Sequence, residues 1–384
     1  MIVMMDPFLS DKHRAARRAV RAFCERELAP IAKEIDQEAR FPWEVVEKMG
    51  ELGFFGIQVP TELGGAGMDS LSYVIVVEEI SRVSASLGLC VTVHNSVAVY
   101  PILAFGTEEQ KQRWIPPLAR GEKIGAFCLT EPNAGSDAAG IEATARLEGD
   151  HYTVNANKLW VTNGGVADIC LIFLRTDPDA GHKGISVIAA ERGTPGFVVG
   201  ELEDMCGMRA NPVCSIRLND CRVPAGNLIG REGMGLRIGL AGLDTGRIGI
   251  AAQALGIAQA ALEEAVKYAK ERHQFGVPLA SHQSIQNMIA DMATQVDAAR
   301  LMVYRAALLR DQDRPFTQEA AMAKLFASEA AGMVTDLAVQ IHGGYGYSKS
   351  YPVERYYRDA RVTRIYEGTS EIHRMVIARA VLQG

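Results

Sequence analysis

The sequence predicts a multidomain α+β protein with an N-terminal α-helical domain, a central β-barrel or sandwich domain and a C-terminal four-helix bundle. Three observations predict it. Residues 1–122 carry helical hydrophobic spacing, residues 123–232 carry short apolar runs between turn residues, and residues 233–384 carry long uninterrupted helical stripes. These three spans are the expected domains.

In the first span, residues 11–40 contain no glycine and no proline except Pro30. Residues 70–85 place Leu71, Val74, Ile75, Val77 and Ile80 at mixed spacings of three and four, the pattern of a buried helix. Pro60, Gly64, Gly65 and Gly67 mark the loop between these helices. Arg14, Arg17, Arg18 and Arg21 form a basic stripe at helical spacing, followed at once by Glu25 and Glu27, and read as a solvated face.

In the second span the runs at 168–174 and 184–189 are short, apolar and bounded by Gly, Pro, Asp and Asn, while 213–218 alternates before an Asn-Asp turn. Several short strands at close spacing predict a barrel or sandwich. No helical period interrupts them, so a parallel βαβ sheet is not expected. In the third span, residues 283–310 lack Gly and Pro, and Ile285, Met288, Ile289, Met292, Val296, Ala299, Val303 and Ala306 make one apolar stripe. Such a helix needs long partners, which 251–272 and 318–341 can supply.

Composition narrows function. Of 384 residues, 48% are apolar and 22% charged, which suits a globular core. Forty basic and 46 acidic residues leave a net charge of −6, which argues against non-specific adhesion to nucleic acid or to an acidic membrane surface. The seven cysteines are scattered with no C-x-x-C pair, so reduced thiols in a cytoplasmic protein are expected rather than disulfides or zinc. The opening residues 1–7 do not resemble a signal peptide. No apolar stretch is expected to reach the ~18 residues that span a bilayer. P-loop, H-E-x-x-H and G-x-S-x-G signatures are absent, and the eight histidines form no cluster with carboxylates, so no metal site is expected.

Four segments stand out. Leu129-Thr-Glu-Pro-Asn-Ala-Gly-Ser-Asp137 is a turn-rich loop leaving a strand, and Lys158-Leu-Trp-Val-Thr162 would put Trp160 and Thr162 on one face of a strand. Gln340-Ile-His-Gly-Gly344 ends a helix. Tyr366-Glu-Gly-Thr369 leaves Glu367 as a loop carboxylate before a helix start at Thr369. Each alone also reads as an ordinary connection, core tryptophan, helix stop or cap.

Together with Phe127-Cys-Leu-Thr130 and Arg272-His-Gln-Phe-Gly276, these segments resemble the acyl-CoA dehydrogenases in order and approximate spacing, over nearly the whole chain, and the C-terminal part looks most like the short-chain (butyryl-CoA) members. The resemblance implies an FAD-dependent enzyme of fatty acid β-oxidation that converts a short- to medium-chain acyl-CoA to a trans-2-enoyl-CoA. Glu367 would abstract the α-proton, flavin N5 would accept the β-hydride, and electrons would pass to an electron-transferring flavoprotein. Branched-chain relatives that place the base elsewhere carry Glu at the position of Gly246, which supports Glu367. The implied FAD contacts are Phe127, Leu129, Thr130, Ser136, Trp160, Thr162, Thr369 and Glu371, with the Thr162 hydroxyl at N5. Arg272, Phe275, Gln283, Gln340, Gly343 and Gly344 would reach the FAD of a neighbouring subunit in a homotetramer, a dimer of dimers. The implied acyl-CoA contacts are Ser136, Asp244, Arg247 and Gly368. Glutaryl-CoA relatives carry an Arg ahead of the segment matching 91–96; here residues 86–90 are uncharged, which disfavours a dicarboxylic substrate. The competing readings are a branched-chain or cyclic acyl-CoA dehydrogenase, an acyl-CoA oxidase of the same fold, and a flavin-free acyl-CoA-binding helical scaffold.

Overall fold

The structure is a computed structural model that describes residues 9–383; the expectation for residues 1–7 lies outside the described residues. Seven helices come first: α1 (Asp11–Phe23), α2 (Ala32–Gln37), α3 (Trp43–Glu51), α4 (Ser70–Val83), α5 (Ala85–Val93), α6 (Tyr100–Phe105) and α7 (Glu108–Ala119). Asp69 caps α4, its Oδ1 accepting the Ser72 N–H at 2.7 Å. As the spacing predicts, α4 is buried, and so are its acidic residues Glu78 and Glu79. That corrects the reading of the basic stripe. Arg17 and Arg21 turn inward to the Glu79 carboxylate, with Arg21 Nε at 2.8 Å from it, while Arg18 alone stays exposed. Buried carboxylates need paired cations, and the stripe supplies them.

A second correction concerns membrane length. Helices α5 and α6 form one continuous helical run, Ala85–Phe105, through a π-helical segment at His94–Val99. With 21 residues and a mean hydropathy of 1.5 it is long and apolar enough to cross a bilayer. It is instead a core helix, because 83% of its most apolar window is buried inside the protein.

The central region holds β1 (Gly125–Cys128), β2 (Thr144–Glu148), β3 (His151–Val161), β4 (Ile169–Arg175), β5 (Ile185–Glu191), β6 (Phe197–Leu202) and β7 (Cys214–Pro224) in one sheet. Its order is β1-β4-β2-β3-β7-β6, with β5 paired to β4. Most pairs are antiparallel, but β4 runs parallel to β1 and, at Thr144–Arg175, to β2. The side chains of β4 explain its unbroken apolar run: Ile169, Leu171 and Phe173 pack towards α7, while Cys170, Ile172 and Leu174 face the interior of the curled sheet.

The last region holds α8 (Gly235–Glu271), a short hairpin of β8 (His273–Gln274) and β9 (Val277–Pro278), then α9 (Gln283–Asp311), α10 (Thr317–His342), α11 (Val353–Val362) and α12 (Ser370–Gln383). α8, α9 and α10 pack together with α12 against α10, and α4 lies on α8 and α9. One apolar core therefore runs through both helical regions.

Candidate active site

The loop that carries Glu367 sits between α11 and α12. Its residues Glu367 and Gly368 have φ of 50° and 98°, a left-handed pair that only Gly adopts without cost. The loop is held in that shape from α10. Lys324, wholly buried on the alanine-lined face of α10, donates from Nζ to the Gly368 carbonyl at 2.6 Å. One turn on, Glu329 accepts from Ser370 Oγ at 2.8 Å and pairs with Arg364 at 3.2 Å.

The Glu367 side chain points inward against α8. A Cβ added at Gly246 would overlap Glu367 Oε2, so the carboxylate fills the space that any larger residue at 246 would need. Although Glu367 as a residue is only partly buried, both its carboxylate oxygens are cut off from solvent and have no hydrogen-bond partner. Burial pushes its pKa up to about 7, with Lys324 and then Arg247 pulling the other way. Burial in turn pulls Lys324 down to about 7. The Glu367 backbone N–H makes no backbone hydrogen bond. A buried, unpaired carboxylate is costly to keep unless it does chemistry.

Asp244 and Arg247 lie about one turn from each other on α8, on either side of Gly246. Arg247 Nη1 donates to Asp244 Oδ1 at 2.5 Å, and the other oxygen of Asp244 accepts from Thr317 Oγ1 at 2.7 Å. Arg247 Nε is buried without a partner. A cavity of about 680 Å³ lined by Asn95, Val99, Leu103, Phe316 and Thr317 opens beside this pair.

On the sheet side, Phe127 belongs to β1 and packs on Phe173, ring centres 4.6 Å apart. Leu129 and Thr130 follow it, and Ser136 lies exposed farther along the loop. The loop is braced by a buried ion pair: Lys158 Nζ donates to Glu131 Oε1 at 2.5 Å and to the Leu129 carbonyl at 3.1 Å. The expected shared face for Trp160 and Thr162 needs correction. A register irregularity in the β3–β7 pairing between Lys158 and Val161, with Trp160 at φ 56°, breaks the strand alternation. Thr162 lies in the turn past β3, and Trp160 is left 55% exposed. The side-chain hydroxyls of Thr130, Ser136 and Thr162 make no hydrogen bond among the described residues. Asn163 ties this turn to the helices, donating to the Cys90 carbonyl of α5 at 3.3 Å.

The remaining predicted residues gather elsewhere. Arg272 precedes β8, Phe275 sits in the turn between β8 and β9, and Gln283 starts α9, while Gln340, Gly343 and Gly344 close α10. The Arg272 guanidinium lies over the Tyr345 ring at 5.7 Å, which joins the two segments. Gly343, at φ 60°, ends α10 as the sequence predicts. Phe275 is 93% exposed. From Lys324 to His342 is 18 residues of α10, roughly 27 Å, so one chain does not bring this group to Glu367. Thr369 caps α12, its Oγ1 accepting the Ile372 N–H at 3.3 Å, with Glu371 exposed in the first turn.

Sequence reasoning missed Lys324, Glu329, the Lys158–Glu131 brace and Tyr73. The signal for Lys324 was a single lysine on a helix face otherwise made of Ala320, Ala323, Ala327 and Ala331.

The site so far is a dry, unpaired carboxylate held over a glycine of α8. The comparisons define it further. The N-terminal, middle and C-terminal domain models of acyl-CoA dehydrogenase match residues 10–122, 126–221 and 233–382. The chain is 52% identical over 375 residues to the mitochondrial short-chain specific acyl-CoA dehydrogenase of Rattus norvegicus, covering 98% of this chain and 91% of that one. The butyryl-CoA dehydrogenase of Megasphaera elsdenii superposes with a TM-score of 0.96 at 45% identity, covering 98% of this chain and all of that one. A chain from the work "Electron transferring flavoprotein of Acidaminococcus fermentans: Towards a mechanism of flavin-based electron bifurcation" superposes at 0.97 with 47% identity, covering 99% and 100%. The chain belongs to the acyl-CoA dehydrogenase family. It is an FAD-dependent acyl-CoA dehydrogenase, and its relatives at about half identity include short-chain specific members.

Proposed function

We propose that the chain oxidises a short-chain saturated acyl-CoA, with Glu367 as the catalytic base, and is organised as domains over residues 1–122, 123–232 and 233–384. The observation that carries the reading is the Glu367 carboxylate, dry and unpaired against Gly246. A carboxylate with its pKa raised to about 7 is a stronger base than a solvated one and remains substantially ionised at neutral pH. Its Oε takes the α-proton, and its free backbone N–H suits the thioester oxygen, whose negative charge grows as the proton leaves. Asp244 and Arg247, held together beside the cavity, anchor the pantetheine side, with Ser136 and Gly368 as further acyl-CoA contacts.

The residues present fit FAD. Unengaged hydroxyls on Thr130, Ser136 and Thr162 meet the ring and its chain, with Phe127, Leu129, Trp160, Thr369 and Glu371 around them. Bound FAD supplies the hydride acceptor. Trp160, standing out on its bulge, shields that face from water. Arg272, Phe275, Gln283, Gln340, Gly343 and Gly344 serve the FAD of a neighbouring subunit in a homotetramer. Support comes from their separation from Glu367 and from the solvent exposure of Phe275 and Tyr347. We place the protein in the cytoplasm. Anaerobic addition of butyryl-CoA bleaches the flavin under this reading, and electron-transferring flavoprotein restores its colour faster than air does. Faster reoxidation by air would make the protein an oxidase instead.

A further inference from the structure

Gly246 and Gly249 are three residues apart on α8, so they share one face, with a rise of roughly 4.5 Å between them. Over Gly246 lies the Glu367 carboxylate. Over Gly249 lies the Tyr73 hydroxyl, brought in from α4: a Cβ added at Gly249 would overlap Tyr73 Oη and stand 2.5 Å from the Thr92 side chain of α5. We propose that Tyr73 is the specificity-determining residue for acyl-chain length, the plug that closes the pocket one helical turn beyond the base. The proposal rests on Glu367 as the base and on acyl-CoA as the ligand.

Direction comes from the order of groups along α8. The Asp244–Arg247 pair, the proposed anchor of the pantetheine, straddles Gly246 and is held from its Asp244 end by Thr317, on the side away from Gly249. A chain held there and passing Glu367 runs on towards Gly249. It meets the phenol after roughly 4.5 Å, a span of about three or four carbon–carbon bonds. One turn further, Tyr366 Oη donates to Gln253 Oε1 at 2.5 Å, and Gln253 Nε2 donates to the Ala85 carbonyl at 2.8 Å, so a tethered side chain stands next along this face.

Volume rather than hydrogen bonding explains a tyrosine here. A buried phenol normally finds a good partner. Tyr73 is wholly buried, yet the carbonyl its hydroxyl reaches, that of Thr92, lies at 3.5 Å and already accepts from Ser96 Oγ at 2.6 Å, with the Thr92 and Ser96 side chains close by. Thr92 Oγ1 beside it is buried with no partner at all. The ring occupies space that a longer acyl chain would need.

The test uses FAD-loaded protein carrying Tyr73→Ala, Tyr73→Leu or Tyr73→Phe, with butyryl-, hexanoyl- and octanoyl-CoA. Two readouts are taken: kcat/KM, and Kd by calorimetry, which does not depend on proton abstraction. The octanoyl-to-butyryl ratio rises at least ~10-fold in Tyr73→Ala in both readouts, less in Tyr73→Leu, and least in Tyr73→Phe, which keeps the ring. Should Tyr73→Ala not fold, a ratio higher in the Leu variant than in the Phe variant supports the plug, and equal ratios overturn it. A ratio that stays put in folded variants also overturns the proposal, as does a parent that already binds octanoyl-CoA as tightly as butyryl-CoA. A parent that binds no acyl-CoA overturns the functional reading and this proposal with it.

Discussion

Under the proposed function Glu367 is the base, and its surroundings make it a stronger one than a solvated glutamate. Its pKa rises from the ordinary 4.5 to about 7, mainly through burial. Since the base acts as the carboxylate, the rate of flavin reduction by butyryl-CoA in the free enzyme climbs from pH 6 to 8 with an apparent pKa near 7; a flat profile across that range contradicts the assignment. The same shift has a thermodynamic sign. The folded state holds this proton more tightly than the unfolded chain does, so the contribution to stability is full below 4.5 and is lost as pH rises through 7. Glu367→Gln is therefore indistinguishable from the parent in denaturant titrations at pH 4.5 but more stable at pH 8, by on the order of 1–3 kcal/mol. Lys324 belongs to the same unit. Its ammonium ties the Gly368 carbonyl and is the strongest charge opposing the rise at Glu367. Lys324→Met moves the pH–rate profile towards alkali by about one unit or more, because a burial penalty is left without its cation. A uniform loss of rate with an unmoved profile would reduce Lys324 to a packing residue.

Helices α9 and α10 were legible because their stripes keep one period over several turns, and the Gly343-Gly344 stop was legible from glycine alone. The first half of α8 was not. Gly235, Gly239, Gly242, Gly246 and Gly249 each weaken an isolated helix, and propensity places the start near residue 251. Tertiary packing overrides it: the Gly235 position lies against the Ser186 backbone and the Gly246 position against Glu367, where a side chain has no room. The same glycines therefore lengthen a helix and carve its active face. Trp160 failed for a related reason, since a bulge changes which way a side chain points and leaves no mark in the hydrophobic pattern. Glu367 was legible only through its neighbours in a motif; by itself it read as a loop carboxylate.

The α10 end that carries Gln340, Gly343 and Gly344 lies roughly 27 Å along the helix from Lys324, which holds the Glu367–Gly368 loop; under the proposed function a second copy brings such residues to the site. Arg272→Ala accordingly weakens FAD retention and assembly together, measured by flavin-to-protein ratio and sedimentation. A variant that keeps its flavin in an unchanged oligomer would confine the site to one chain.

The most direct test is anaerobic stopped-flow bleaching of the bound flavin by butyryl-CoA in the parent and in Glu367→Gln. Loss of the base slows bleaching by at least ~10²–10⁴-fold while the flavin stays bound. Bleaching at the parental rate would mean that another group takes the proton.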